Sequence, residues 1–146
     1  MEIVRSVVID CHIEDVFAFV ADPLNDPAWC PKVLRVEQIE GDGPGPDARY
    51  AVLHRPILLR PARRMAYTCV DWDPPRRVAW REDDGADVID VTYELESVWT
   101  STRLTQRDDA RLGAPRPLHP LLRLGIDRDV ARQLRALKRV LERRGA

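Results

Sequence analysis

Hydrophobic and polar residues alternate along much of the chain, at the period of two that is typical of β-strands. The first such segment covers residues 3–9, with Ile3, Val7 and Ile9 on one face. Six further segments follow, at residues 33–40, 49–54, 65–72, 78–82, 88–96 and 99–107. Short separators rich in proline, glycine and acidic residues divide most of them. This pattern predicts an antiparallel meander, and therefore a sheet of about seven strands.

Other segments have helical spacing. Apolar residues at positions 13, 16, 17 and 20 predict a short helix after the first strand, and Pro27 favours a second short helical turn at 26–29. From about Pro120 onward, apolar residues recur at positions 126, 130, 134, 137 and 141. We therefore expect an α+β fold, in which a curved sheet offers its apolar concave face to one long C-terminal helix.

Length and composition limit which classes of protein the chain can belong to. A chain of 146 residues fits a single domain spanning residues 1–146. Its net charge of −1 gives no global attraction to nucleic acid. No apolar run approaches the ~20 residues of a membrane span, and no secretory signal pattern opens the sequence. We expect a cytoplasmic protein without a membrane span and without a nucleic-acid partner.

Metal and cofactor sites have no sequence signature in this chain. The cysteines Cys11, Cys30 and Cys69 are far apart and lack Cys-x-x-Cys spacing. Histidines are found at positions 12, 54 and 119, on different predicted elements. No glycine-rich turn is present that would cradle a phosphate. We predict reduced thiols, no metal and no cofactor.

Several segments carry a resemblance to a known superfamily. They are residues 13–17 (Ile-Glu-Asp-Val-Phe), 20–23 (Val-Ala-Asp-Pro), 26–29 (Asp-Pro-Ala-Trp) and 71–77 (Asp-Trp-Asp-Pro-Pro-Arg-Arg). In this element order the chain resembles the START/Bet v 1-like (SRPBCC) superfamily, and within it the polyketide cyclase/dehydrase-type branch. The resemblance implies a helix-grip fold around a deep cavity used for lipids, polyketides, plant hormones or quinones. Only some members of the superfamily are catalysts.

A cavity under the long helix would be lined by the inward faces of the strands and by the apolar stripe of the helix. Large amphipathic rings there would stack on a planar ligand, although filling of the core is the alternative interpretation of Trp72, Trp80, Tyr93 and Trp99. The predicted ligand-binding residues are Trp29, Tyr50, Val52, His54, Tyr67, Cys69, Trp80, Val91, Tyr93, Ile126, Val130 and Leu134.

Three features invite a chemical interpretation, each with a structural alternative. His54 would act as a general acid or base at the mouth of the pocket, or lie at an edge or on the surface. Trp29 would gate the entrance or stack on a ligand, or plug the helix pair. The arginines at positions 55, 60, 63 and 64 would guide an anionic ligand, or belong to a solvated loop.

Three functions fit these observations. The first is a binding or carrier domain for a hydrophobic small molecule, whether aromatic or not. The second is a polyketide aromatase, cyclase or dehydratase in which His54, Tyr93 or an inward arginine moves protons. The third is an interaction module that forms a homodimer through exposed strand edges.

Overall fold

The computed structural model describes residues 1–56 and 61–145. Within these residues, seven strands, two α-helices and two short 3₁₀ helices follow one another. In order they are β1 (Glu2–Ile9), α1 (Ile13–Val20), a 3₁₀ helix (Pro23–Ala28), β2 (Val33–Glu40), β3 (Arg49–His54), β4 (Arg63–Asp73), β5 (Arg77–Asp83), β6 (Val88–Val98), β7 (Ser101–Arg111), a second 3₁₀ helix (Arg116–Leu118) and α2 (His119–Arg144).

The strands form one antiparallel sheet in the order β1-β7-β6-β5-β4-β3-β2. The predicted meander from β2 to β7 is therefore confirmed, and β1 joins it at the far side by pairing with β7. Register shifts interrupt the pairing of β2 with β3 and of β4 with β5. Such bulges bend strands and increase their twist, which curves the sheet.

Helix α2 covers the concave side of the sheet, as its apolar stripe predicted. Val130, Leu134, Leu137 and Leu141 are buried, and Ile126 is half-buried against the same core. Two polar contacts fix α2 to β1. Arg5 donates two hydrogen bonds to the Asp127 carboxylate, at 2.8 and 2.9 Å, and Lys138 donates to the Val8 carbonyl at 2.7 Å. The expected α+β helix-grip arrangement is confirmed.

Differences from the sequence-based boundaries are local. The second short helix is a 3₁₀ helix, capped by the Asp22 carboxylate, which accepts a hydrogen bond from the Leu24 N–H at 3.1 Å. The last strand begins at Ser101 rather than at Trp99. Trp99 lies in the turn between β6 and β7 with a φ of 58° and 96% exposure, so it neither fills the core nor faces a ligand. Within residues 1–56 and 61–145, no helix is long and apolar enough to cross a membrane.

Candidate functional site

Aromatic rings fill the space between the sheet and α2. Tyr50 on β3 stacks on Trp80 of β5, with ring centroids 5.7 Å apart. Trp29, at the end of the first 3₁₀ helix, meets Tyr93 of β6 edge-on at 5.9 Å. All four rings are buried. Trp29 therefore lies inside the protein rather than on its surface.

The remaining predicted lining residues lie on the same inner surface. Val52, His54 and Tyr67 are buried on β3 and β4, and Val91 is buried on β6. Cys69 and Ile126 are only half-buried and lie at the margin of the core. The structure therefore brings the predicted group together around one interior, with Val130 and Leu134 of α2 closing it.

His54 is 2% exposed, so its interpretation as an edge or surface residue is wrong. Its Nε2 lies 2.9 Å from the Tyr67 hydroxyl, and the two rings meet edge-on. Burial, together with the nearby charges of Lys32 and Arg63, lowers the pKa of His54 to about 3. The ring is therefore neutral at physiological pH, and it is a weak base that can hold the Tyr67 hydroxyl in place.

Three acidic side chains share the interior with these rings. Glu82 on β5 lies directly opposite Tyr67 in the strand register, and Asp26 and Asp108 are also buried. Burial raises the pKa of Glu82 to about 7, with a further contribution from the charge of Asp108. Burial also raises the pKa of Asp26 well above its usual range, and the charge of Glu82 adds to this. Because the pKa of Glu82 lies close to neutrality, its carboxyl group can both hold and release a proton at neutral pH.

Lys32, at the entry to β2, is a cation whose charge acts on all three of these acids. It is half-buried. Burial lowers its pKa, but the charges of Glu82 and Asp108 outweigh that effect, so the net pKa is raised. Among the described residues its ammonium group makes no ion pair within 4.0 Å. Lys32 thus supplies a positive field to the interior without being neutralised by direct contact.

Several buried polar atoms have no hydrogen-bond partner among the described residues. Such atoms are costly unless water or a ligand satisfies them. The Gln106 amide donates to Asp108 at 3.0 Å, which fixes the orientation of that amide and leaves its oxygen unpaired. The unpaired atoms are Trp29 Nε1, Tyr50 Oη, Glu82 Oε1, Gln106 Oε1 and Gln133 Oε1. The interior therefore combines a tightly packed apolar core with polar atoms whose hydrogen-bonding capacity is unused.

Sequence reasoning missed the polar half of this interior, which comprises Asp26, Lys32, Glu82, Gln106, Asp108 and Gln133. A signal was nevertheless present. Glu82 is in phase with the buried Val78 and Trp80 on β5, and Gln106 and Asp108 are in phase with the buried Leu104 on β7. A polar residue in phase with an apolar strand face is therefore the pattern that identifies these positions.

Other predicted positions have structural roles. Trp72 is half-buried and packs edge-on against Phe17 of α1 at 5.4 Å. Arg63 pairs with Asp84 and Asp87, while Arg55 and Arg64 are exposed, and Arg60 lies outside the described residues. In the part of the chain that the structure describes, no group of three His, Cys, Asp or Glu side chains is placed to hold a metal ion.

Two surface depressions border α2. A groove of about 370 Å³ lies at its C-terminal end, beside α1, and contains none of the predicted lining residues. A much smaller groove lies between the entry to β2 and the middle of α2. It is lined by Pro31, Lys32, Arg55, Asp129, Arg132 and Gln133. Lys32 and Gln133 therefore belong both to this groove and to the polar interior.

Comparisons with known proteins agree with this architecture. The protein TTHA0849 from Thermus thermophilus is 16% identical and superposes with a TM-score of 0.84, covering 100% of both chains. The Zhui aromatase/cyclase from Streptomyces sp. R1128 is 16% identical with a TM-score of 0.79, covering 100% of this chain and 96% of that one. Ara h 8.0201 is 12% identical with a TM-score of 0.72, covering 97% of each chain. At such identities the likeness establishes the fold.

No protein of curated function matches the sequence. A family profile, in contrast, covers nearly the whole chain, matching residues 1–142. The profile describes polyketide cyclases and dehydrases and lipid transport proteins. Together with the helix-grip architecture, this match shows that the chain belongs to the polyketide cyclase/dehydrase and lipid transport family.

Proposed function

We propose that the protein binds a small, largely apolar molecule with aromatic character in the interior between the sheet and α2. The observation that carries this proposal is the set of five buried polar atoms without a described partner, in a core otherwise built of aromatic and aliphatic side chains. A ligand with a planar apolar body and a few hydroxyl or carbonyl groups would satisfy both halves of this interior. Membership of a family that includes lipid transport supports the same conclusion.

Native mass spectrometry of the purified protein, followed by denaturing extraction, is the first test. A co-purified apolar species would support the proposal. Protein free of such a species is then titrated with the neutral fluorescent probe N-phenyl-1-naphthylamine, and we expect enhanced probe fluorescence and a raised melting temperature. If neither this probe nor a series of hydroxylated aromatic compounds binds or stabilises the protein, the proposal is wrong.

A pair of tryptophan substitutions on α2 distinguishes interior binding from adsorption to the surface. Leu134 is buried and faces the core, whereas Arg135 is exposed. Leu134→Trp should fill interior space and abolish probe binding, and Arg135→Trp should leave it unchanged. Overpacking typically costs about 1–3 kcal/mol, so the melting temperature of each variant is measured to show that it remains folded. Equal probe binding by both variants would locate the site elsewhere.

A second candidate function is acid–base catalysis on a polyketide-like chain, and the pairing of Tyr67 with Glu82 favours it. A buried carboxyl group whose pKa is about 7 is suited to proton transfer at neutral pH. In the proposed step, Glu82 removes a proton from the carbon between two carbonyl groups. That carbon attacks another carbonyl, whose oxygen takes the Tyr67 proton, and the proton on Glu82 then returns to Tyr67. The Zhui neighbour, which is named an aromatase/cyclase, makes this reaction class a reasonable one to assay.

The catalytic proposal is tested with a poly-β-keto thioester surrogate and three variants. Glu82→Gln and Tyr67→Phe should abolish turnover while N-phenyl-1-naphthylamine still binds. Because His54 is a weak base that orients Tyr67, His54→Ala should reduce turnover less than Glu82→Gln does. Absence of turnover by the wild-type protein on every surrogate would leave the binding function alone.

A further inference from the structure

The start of α2 carries an unusual cluster of exposed leucines. Leu118, Leu121 and Leu124 are 49%, 64% and 46% exposed. Leu118 ends the second 3₁₀ helix with helical backbone angles, so the three side chains follow one another at spacings of three residues and share one face. We call these three residues the leucine patch. They contribute little to the core, since the buried stripe of α2 begins only at Val130.

Two arginines, Arg116 and Arg123, flank the leucine patch, and residues 112–126 contain no aspartate or glutamate. The next acid along the helix, Asp127, is held by Arg5, although the charge of Arg123 also acts on it. Many arginines of the sheet are ion-paired, as Arg77 is with Asp71 and Arg81 with Asp90. Arg116 and Arg123, in contrast, are exposed and make no ion pair within 4.0 Å in the described part of the chain. This surface therefore presents apolar side chains flanked by unneutralised positive charge.

We propose that the leucine patch, with Arg116 and Arg123, docks on a lipid surface that contains anionic headgroups. Such a surface offers hydrocarbon for the leucines and phosphate or carboxylate groups for the guanidinium groups. A second copy of the chain fits less well. A twofold dimer through this patch would bring equivalent surfaces together and place positive charges near one another. Charge complementarity therefore selects the anionic lipid surface as the partner.

Docking would also bring the small groove beside Lys32 and Gln133 towards the lipid. That groove includes Asp129 and Arg132, which lie one to two turns further along α2 than Leu124. Arg55 and Arg132 on its rim add positive charge. This placement would suit uptake of an apolar ligand from the bilayer, but the docking proposal itself rests on the leucine patch and its charges alone.

The test is co-sedimentation of the full chain with vesicles, either of phosphatidylcholine alone or of phosphatidylcholine mixed with phosphatidylserine. We expect binding to the mixed vesicles, weakened by high salt, and little binding to phosphatidylcholine alone. The double substitution Leu121→Ser, Leu124→Ser should weaken binding by about tenfold or more, because each serine removes apolar surface from the lipid contact. Arg116→Gln with Arg123→Gln should weaken it by about tenfold as well.

A matched control is available on β2. Leu34 and Ile39 are 53% and 48% exposed, and Leu34→Ser with Ile39→Ser removes comparable apolar surface from another face. This control should leave vesicle binding unchanged, and melting temperatures are compared for all variants. Failure of the wild-type chain to bind mixed vesicles overturns the proposal, as does equal weakening by the control. If light scattering detects a dimer that Leu121→Ser with Leu124→Ser dissociates, and vesicle binding is absent, a second copy covers the patch instead.

Discussion

Replacement of Glu82 by glutamine should change how the stability of the protein depends on pH. Burial raises the pKa of Glu82 from 4.5 to about 7 in the folded protein, whereas the unfolded chain keeps the ordinary value. Between these two values the folded protein holds a proton that the unfolded chain has released. The free energy of unfolding therefore falls as the pH rises through this window. The change in pKa corresponds to a loss of about 3 kcal/mol in the free energy of unfolding. This loss is absent below about pH 4.5 and complete above about pH 7.

Urea denaturation at a series of pH values between 4 and 8 measures this effect. Glutamine keeps the shape of the side chain but cannot ionise, so Glu82→Gln should gain stability relative to the wild type as the pH rises. The gain should approach about 3 kcal/mol near pH 8. Glu37 is exposed on β2, and Glu37→Gln is the control for the same change in net charge.

Parallel stability curves for the wild type and Glu82→Gln would refute the reasoning, because they would mean that Glu82 releases its proton equally easily in both states. Part of the difference in stability between the two proteins arises from Asp26. The pKa of Asp26 is raised mainly by burial and further by the charge of Glu82. The glutamine variant should therefore also ionise Asp26 more readily. The control variant should follow the wild-type curve throughout.

Further predictions concern the core and its polar groups. Leu137→Ala should lower the free energy of unfolding by about 2–5 kcal/mol in urea denaturation, because this side chain is fully buried. Tyr67→Phe removes the hydrogen bond to His54 and should cost about 1–3 kcal/mol by the same measurement. Gln133→Leu should raise the melting temperature and weaken binding of N-phenyl-1-naphthylamine, since it removes a buried amide oxygen without a described partner. A thiol reagent should label Cys30 more slowly than Cys11 in the folded protein, because burial raises the pKa of the Cys30 thiol well above its usual range, and unfolding in urea should remove the difference.

The fold was predictable because hydrophobic periodicity reports directly which faces are buried. The stripe from Val130 to Leu141 is a clear helical pattern, and each predicted strand appears in the sheet with its ends moved by a few residues. Trp99 was misassigned for a physical reason. A large aromatic residue favours a strand, but here the turn between β6 and β7 requires a positive φ at that position and turns the side chain towards solvent.

The candidate site was predictable only in part. Its apolar and aromatic residues occupy the same faces as the core, so Tyr50, Trp80 and Val91 could be found from alternation alone. Whether a charged residue such as Lys32 turns inward depends on how the first 3₁₀ helix enters β2, which periodicity does not report. The low pKa of His54 likewise arises from burial and neighbouring charges that only the folded structure brings together.

The pairing of β1 with β7 has a consequence for synthesis of the protein. Ile3 lies opposite Asp108, so the first strand pairs with a segment made about a hundred residues later. At typical rates of translation, β1 waits on the order of 5–20 s for its partner strand. Loop-closure entropy opposes this contact until the other strands are in place, so β1 should join the sheet late in folding. Until then it is an unpaired strand with apolar side chains on both faces, and such a strand is prone to aggregate. This risk ends when β7 and α2 have been made and β1 can pair and be covered.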